Sequence, residues 1–162
     1  MHDNRGQVFI VYIARQSGSS LYCLHIKKNK LNRCMTRPLR IEYPGALYHV
    51  TCRGNEKRAI FKDDQDREKF LEIFQRSIEI YNIEVFSYVL MRNHFHFLLK
   101  TQLGNLSQFM RHFNITYTNH FNRRYKRSGH LYQGRYKSIL IDSDEYFIMV
   151  SRCIHLNPNG LL

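Results

Sequence analysis

Met91-Arg92-Asn93-His94-Phe95-His96-Phe97-Leu98-Leu99 is the stretch whose residue types and spacing could do chemistry. On a strand, alternation places His94 and His96 on one face and Phe95 and Phe97 on the other. Two imidazoles so spaced can hold one divalent cation through nitrogen while the phenyl rings enter a core. Histidine pairs on strands also serve as structural groups, and the spacing alone leaves both readings open. A later segment offers Asn157, whose amide oxygen is a hard donor suited to magnesium or manganese. An ion held there would act as a Lewis acid on a scissile phosphate.

Charge directs attention to phosphates as well. The 162 residues carry 25 Lys plus Arg against 13 Asp plus Glu, a formal net charge of +12. Such a surface favours a polyanionic partner. From Val85 to Ile141 no acid occurs, while Arg92, Lys100, Arg111, Arg123, Arg124, Lys126, Arg127, Arg135 and Lys137 do. The tight cluster Arg123-Arg124-Tyr125-Lys126-Arg127 mixes cations with an aromatic ring, a composition suited to a nucleic-acid backbone and its bases. Arg135 and Lys137 alternate on one strand and are candidate phosphate contacts. Tyr125, Tyr132 and Tyr136 lie among these cations and could stack on bases. A solvated basic loop would have the same composition.

The elements that must position these groups can be read from hydrophobic periods. Ala46 to Cys52 alternates as a strand, ended by Arg53-Gly54-Asn55. Asp64 to Tyr81 is predicted helical, with Phe70, Leu71, Phe74, Ile78 and Tyr81 at spacings of three and four and acids in the first turn. Ile83 to Met91 and Phe95 to Thr101 flank Arg92-Asn93 as an antiparallel hairpin. Leu106 to Tyr125 is a second helix whose stripe Phe109, Phe113, Tyr117 and Phe121 belongs in a core. Arg135 to Ile141 is a further strand, and Asp142-Ser143-Asp144 caps a last helix that Asn157-Pro158 stops near Leu156. Strand, helix, hairpin, helix, strand and helix make an α+β sandwich, one antiparallel sheet with helices packed mainly on its faces.

Residues 1–34 lack a sustained period of either kind and contain Gly18-Ser19-Ser20 and a basic run at Lys27-Lys28-Lys30. They are expected to be an extension outside the native domain, with Met35 as the true start, or else a basic arm on DNA. No apolar run approaches the roughly 20 residues that span a bilayer, and Val8 to Ala14 is a poor signal peptide. The cysteines Cys23, Cys34, Cys52 and Cys153 show no CxxC pair and no zinc-ligand spacing, as in a reduced, cytoplasmic protein.

A hydrophobic residue between two histidines is the HUH motif, and the chain resembles the single-tyrosine HUH transposases, in particular the REP-associated tyrosine transposases of bacteria. The resemblance spans residues 35–162 almost continuously. It rests on Arg37-Pro38-Leu39-Arg40, Tyr48-His49-Val50-Thr51 with Arg53-Gly54-Asn55, and Tyr88-Val89-Leu90-Met91 leading into His94-Phe95-His96. It continues through Ser128-Gly129 and Gln133-Gly134-Arg135-Tyr136-Lys137 to Ile154-His155-Leu156-Asn157-Pro158.

The resemblance implies a ferredoxin-like α+β fold and single-stranded DNA hairpins, repetitive palindromic or insertion-sequence ends, as substrates. It implies a magnesium or manganese ion on His94 and His96, completed by Asn157, and a monomer or homodimer. In the family a tyrosine on the last helix attacks the phosphate and forms a phosphotyrosine with the new 5′ end, a covalent intermediate that preserves the bond for rejoining. The chain departs from the pattern there, because the position four before Asn157 is Cys153. A thiol is shorter than a phenol and is not the family's attacking group. Tyr146 stands seven residues earlier, roughly 10 Å along a helix. Strand cleavage and transfer in DNA transposition are therefore expected to be impaired, in a domain over 35–162 shortened at its C-terminus.

Two other classes fit parts of the pattern. A non-catalytic single-stranded DNA or RNA binding protein would keep the fold without the reaction. A basic structural or ribosome-associated protein would hold no metal. His49 on the first strand reads as a satisfied core histidine rather than a site residue. His112, His120 and His130 read as surface or hydrogen-bonded groups, and His155 as a cap or packing group.

Overall fold

Alternating burial along Ala46–Arg53 makes β1 a half-buried strand, with Ala46, Tyr48, Val50 and Cys52 inward and Leu47, His49, Thr51 and Arg53 on the other face. The computed structural model describes residues 40–142 and 147–150. After β1 come α1 (Asp64–Tyr81), β2 (Ile83–Met91), β3 (His94–Thr101), α2 (Leu106–Arg124) and β4 (Lys137–Ile141). The sheet order is β2-β3-β1-β4, and every pairing is antiparallel. This β-α-β-β-α-β path with β1 and β3 central is the ferredoxin-like arrangement.

Local chemistry explains the boundaries. Asp63 caps α1 by accepting the Asp66 amide N–H at 3.0 Å. Asn82 ends the helix in the left-handed region at φ 50°, a conformation that asparagine tolerates. β2 and β3 meet in a two-residue turn, Arg92-Asn93, fixed from outside. The Gly54 amide donates to the Asn93 carbonyl at 2.7 Å, and the Ile60 amide donates to the Arg92 carbonyl at 2.9 Å. β4 begins at Lys137, two residues later than the alternation suggests.

Both long helices cover one face of the sheet. Phe70 and Phe74 of α1 and Phe109, Phe113, Tyr117 and Phe121 of α2 form one buried cluster with Phe95 and Phe97 of β3. Phe74 and Phe97 stack with centroids 4.2 Å apart, and Phe70 meets Phe113 edge-on at 4.8 Å. Each fully buried phenylalanine of this set contributes about 2 kcal/mol by burial. The Tyr117 hydroxyl satisfies itself by donating to the Ile60 carbonyl at 2.7 Å. The opposite face carries a smaller cluster of Val89, Leu98, Ile141 and Val150, with Phe147 edge-on to Phe86 at 5.4 Å. Residues 147–150 are helical, so this face also has a helical cover at one side. No helix among the described residues is long and apolar enough to cross a membrane.

Candidate functional site

The face away from α1 and α2 collects polar groups in register. Thr51 of β1 is paired with His96 of β3 on one side and with Lys137 of β4 on the other. His96 is in turn paired with Val89, while His94 is paired with Arg53 and Met91. The result is a cleft of about 510 Å³ whose lining includes Thr51, Arg53, His94, His96, Arg135 and Lys137. Arg53, Arg135 and Lys137 are exposed, whereas the two histidines are half-buried.

The Nδ1 atoms of His94 and His96 each have a partner. His94 Nδ1 lies 2.6 Å from Asn93 Oδ1, an oxygen that can only accept, so His94 carries its proton on Nδ1. Asn93 is itself anchored, its Nδ2 donating to the Lys57 carbonyl at 3.1 Å. His96 Nδ1 lies 2.9 Å from His49 Nε2. Burial lowers the pKa of His94, with the charge of Arg53 adding to it. Burial, with His49, His94 and Arg53 nearby, pushes His96 down to about 3. Burial lowers His49 too. Both strand histidines are thus held neutral around pH 7, the form in which an imidazole ligates a cation.

The donor set fits part of a metal site. Among the described residues no group of three or more His, Cys, Asp or Glu is arranged to hold a metal ion. His94 and His96 offer two imidazoles whose Nδ1 atoms are tied to Asn93 and His49, the arrangement that orients metal-ligating histidines. A cation held there needs further oxygen donors. Asn157 and Cys153 both lie outside the described residues.

The remaining candidate residues divide by location. Arg135 and Lys137 line the cleft with the histidines. Arg123 and Lys126 are exposed near the C-terminal end of α2, outside the cleft lining, and the Arg127 guanidinium lies 5.6 Å from the Phe121 ring centroid. Arg124 is committed elsewhere in the fold: it binds Asp63 through both guanidinium nitrogens at 2.7 Å and also reaches Asp66 and Gln65. The three tyrosines considered for base stacking are not free platforms. Tyr132 and Tyr136 are buried, and the Tyr125 hydroxyl donates to Asp66 at 2.8 Å. Tyr132 packs edge-on against Phe95, and Arg40 covers the Tyr136 ring at 3.8 Å.

His49 is not the satisfied core histidine that the sequence suggests. It sits on the cleft face of β1, bonded to His96, and its own Nδ1 is buried without a partner. Thr51 and Arg53 share that face. The alternation Tyr48-His49-Val50-Thr51-Cys52-Arg53 carries the signal for all three; the pairing of β1 with β3 supplies the rest.

The family model described as "Transposase IS200 like" matches residues 43–157. No curated protein matches the sequence. A solved REP-associated tyrosine transposase bound to a REP hairpin is similar in structure, with a TM-score of 0.64 and 14% identity over 76% of this chain and 73% of that one. A candidate transposase of Deinococcus radiodurans R1 gives a TM-score of 0.52 and 13% identity over 75% of this chain and 97% of that one. These two likenesses establish the fold, and the family match over residues 43–157 shows that the chain belongs to the IS200-like transposases.

Proposed function

We propose that the chain binds single-stranded DNA hairpins in the cleft between β1, β3 and β4, as a metal-dependent HUH-type transposase whose strand cleavage and transfer are impaired by Cys153. The observation that carries this reading is the shared lining: His94 and His96 stand in one cleft with Arg53, Arg135 and Lys137. Two neutral nitrogen donors beside three cations suit a phosphodiester with an associated divalent ion. The solved relative bound to a REP hairpin supports the choice of folded single-stranded DNA.

In this reading Arg53, Arg135 and Lys137 hold the DNA backbone and keep one phosphate over the histidine pair. A magnesium or manganese ion on His94, His96 and Asn157 would supply Lewis-acid polarisation of that phosphate. Val150 belongs to the buried cluster on the cleft face that also holds Val89, the residue paired with His96. The family's attacking group at position 153 is a phenol, and Cys153 offers a thiol in its place. Cys153 favours a binding protein that keeps the fold without completing the covalent step.

Fluorescence anisotropy with labelled single-stranded hairpins in manganese tests this reading. Hairpin binding that falls steeply with salt, with the strand left intact, is expected. Salt-insensitive binding, or no binding, would count against it.

A further inference from the structure

We infer that His49 is a positioning residue for the cation site: it accepts the Nδ1 proton of His96 and so leaves His96 Nε2 free to ligate. The inference rests on the metal-site reading above and names the acceptor that takes the Nδ1 proton of His96 when a cation occupies its Nε2.

The geometry is that of a directed hydrogen bond rather than ring stacking. His49 Nε2 and His96 Nδ1 are 2.9 Å apart, while the ring centroids are 5.2 Å apart with planes 19° from parallel. The centroid separation exceeds the nitrogen contact by about two ring radii. The two nitrogens and the two centroids therefore lie nearly on one line, with the rings edge to edge.

A contact between two imidazole nitrogens holds one proton, and its position decides what His96 can do. With the proton on His49 Nε2, a neutral His96 must protonate its own Nε2 and loses that lone pair. With the proton on His96 Nδ1, Nε2 keeps the lone pair. His94 is already in the second state, because Asn93 Oδ1 can only accept. The two strand histidines then present matching nitrogens.

The other nitrogen of His49 bears on the same proton. Its Nδ1 is buried and unpartnered among the described residues. When His49 accepts from His96, its remaining proton sits on that atom; otherwise the atom is a bare lone pair. A buried N–H without a partner costs free energy comparable to a lost hydrogen bond. The ligating tautomer therefore carries that cost in the empty site, and a cation on His96 Nε2 offsets it by drawing the shared proton onto Nδ1, where His49 accepts it. The role differs from that of His94 or His96: His49 acts through His96, and its loss should weaken affinity by the 10- to 100-fold typical of such outer partners.

The test is calorimetric titration of the whole chain with Mn²⁺ alone, comparing wild type with His49→Phe, His49→Gln and the double variant His94→Ala/His96→Ala. Thermal unfolding of each variant reports its fold. Phenylalanine removes the acceptor, whereas the glutamine side-chain oxygen can accept at nearly the position of Nε2. The expected result is a 10- to 100-fold weaker Mn²⁺ affinity for His49→Phe and near wild-type affinity for His49→Gln. Should the Phe variant not fold, His49→Asn, too short to reach His96, takes its place with the same expected loss. Unchanged affinity in the Phe or Asn variant, or equal loss in the Gln variant, would overturn the role of His49 while leaving the metal site standing. A wild type that binds Mn²⁺ no better than the double variant would overturn the metal site and this inference with it.

Discussion

The guanidinium of Arg124, the last residue of α2, closes on the carboxylate of Asp66, a side chain in the first turn of α1 with no exposed surface. The same guanidinium holds Asp63, the α1 cap, in a bidentate pair. Asp66 further accepts from the Tyr125 hydroxyl and from the Lys62 amide. One cation therefore ties the end of one helix to the start of the other. Removing it leaves a buried carboxylate without its partner, the costly way to break such a pair. Arg124→Ala should lower stability measurably in urea unfolding. Arg124→Lys should recover only part of it, because an ammonium cannot make the bidentate contact.

Acid should weaken the same junction. The hydrogen bonds from Arg124 hold Asp63 below the usual carboxylate range, with the Asp66 amide, the Arg124 charge and the Tyr125 hydroxyl acting in the same direction. Its pKa is thus lower folded than unfolded, and the unfolded chain binds the proton first as pH falls. The contribution is complete above about pH 4 and is lost as pH drops through the folded value. Asp63→Asn keeps a good helix cap while removing the charge. Unfolding free energies measured from pH 6 to pH 2 should show a shallower acid slope for Asp63→Asn than for wild type.

Gly54 should resist even a methyl group. A Cβ there would stand 2.1 Å from the Arg58 carbonyl oxygen and 2.9 Å from the Ile60 side chain. Its amide also fixes the turn before His94 through the Asn93 carbonyl. Gly54→Ala should destabilise by roughly 1–3 kcal/mol, the range for forcing extra volume into a packed region. The checking measurement is thermal unfolding.

Salt dependence should separate the basic residues by role. Arg135 and Lys137 line the cleft, whereas Arg124 is occupied by carboxylates. For single strands each phosphate contact adds about 0.7 to the slope of log affinity against log salt. Arg135→Ala and Lys137→Ala should each reduce the measured slope by about that amount. Arg124→Ala should leave the slope unchanged under conditions where the variant stays folded.

The elements were legible because their periods are clean. Phe70, Phe74 and Ile78 mark α1, and the alternation from Ala46 marks β1; each signal lies within one element. Relations between elements were less legible. His49 reads as a core histidine until the β1–β3 register brings it beside His96, 47 residues away. Arg124 reads as one of a run of phosphate contacts because its carboxylate partners lie some 60 residues earlier in the chain. Tyr132 and Tyr136 look available for base stacking, yet the loop before β4 folds them into the core. Charge and ring type were visible at each position, while the partners depended on chain reversal.

The central claim is that this cleft retains the family's DNA chemistry and lacks its nucleophile. The most direct test incubates labelled single-stranded hairpins with wild type, Cys153→Tyr and Cys153→Tyr/His96→Ala in manganese and resolves the products on a denaturing gel. The account predicts a covalent protein–DNA band for Cys153→Tyr alone. A band from wild type, a band that survives loss of His96, or no band from any variant would contradict it.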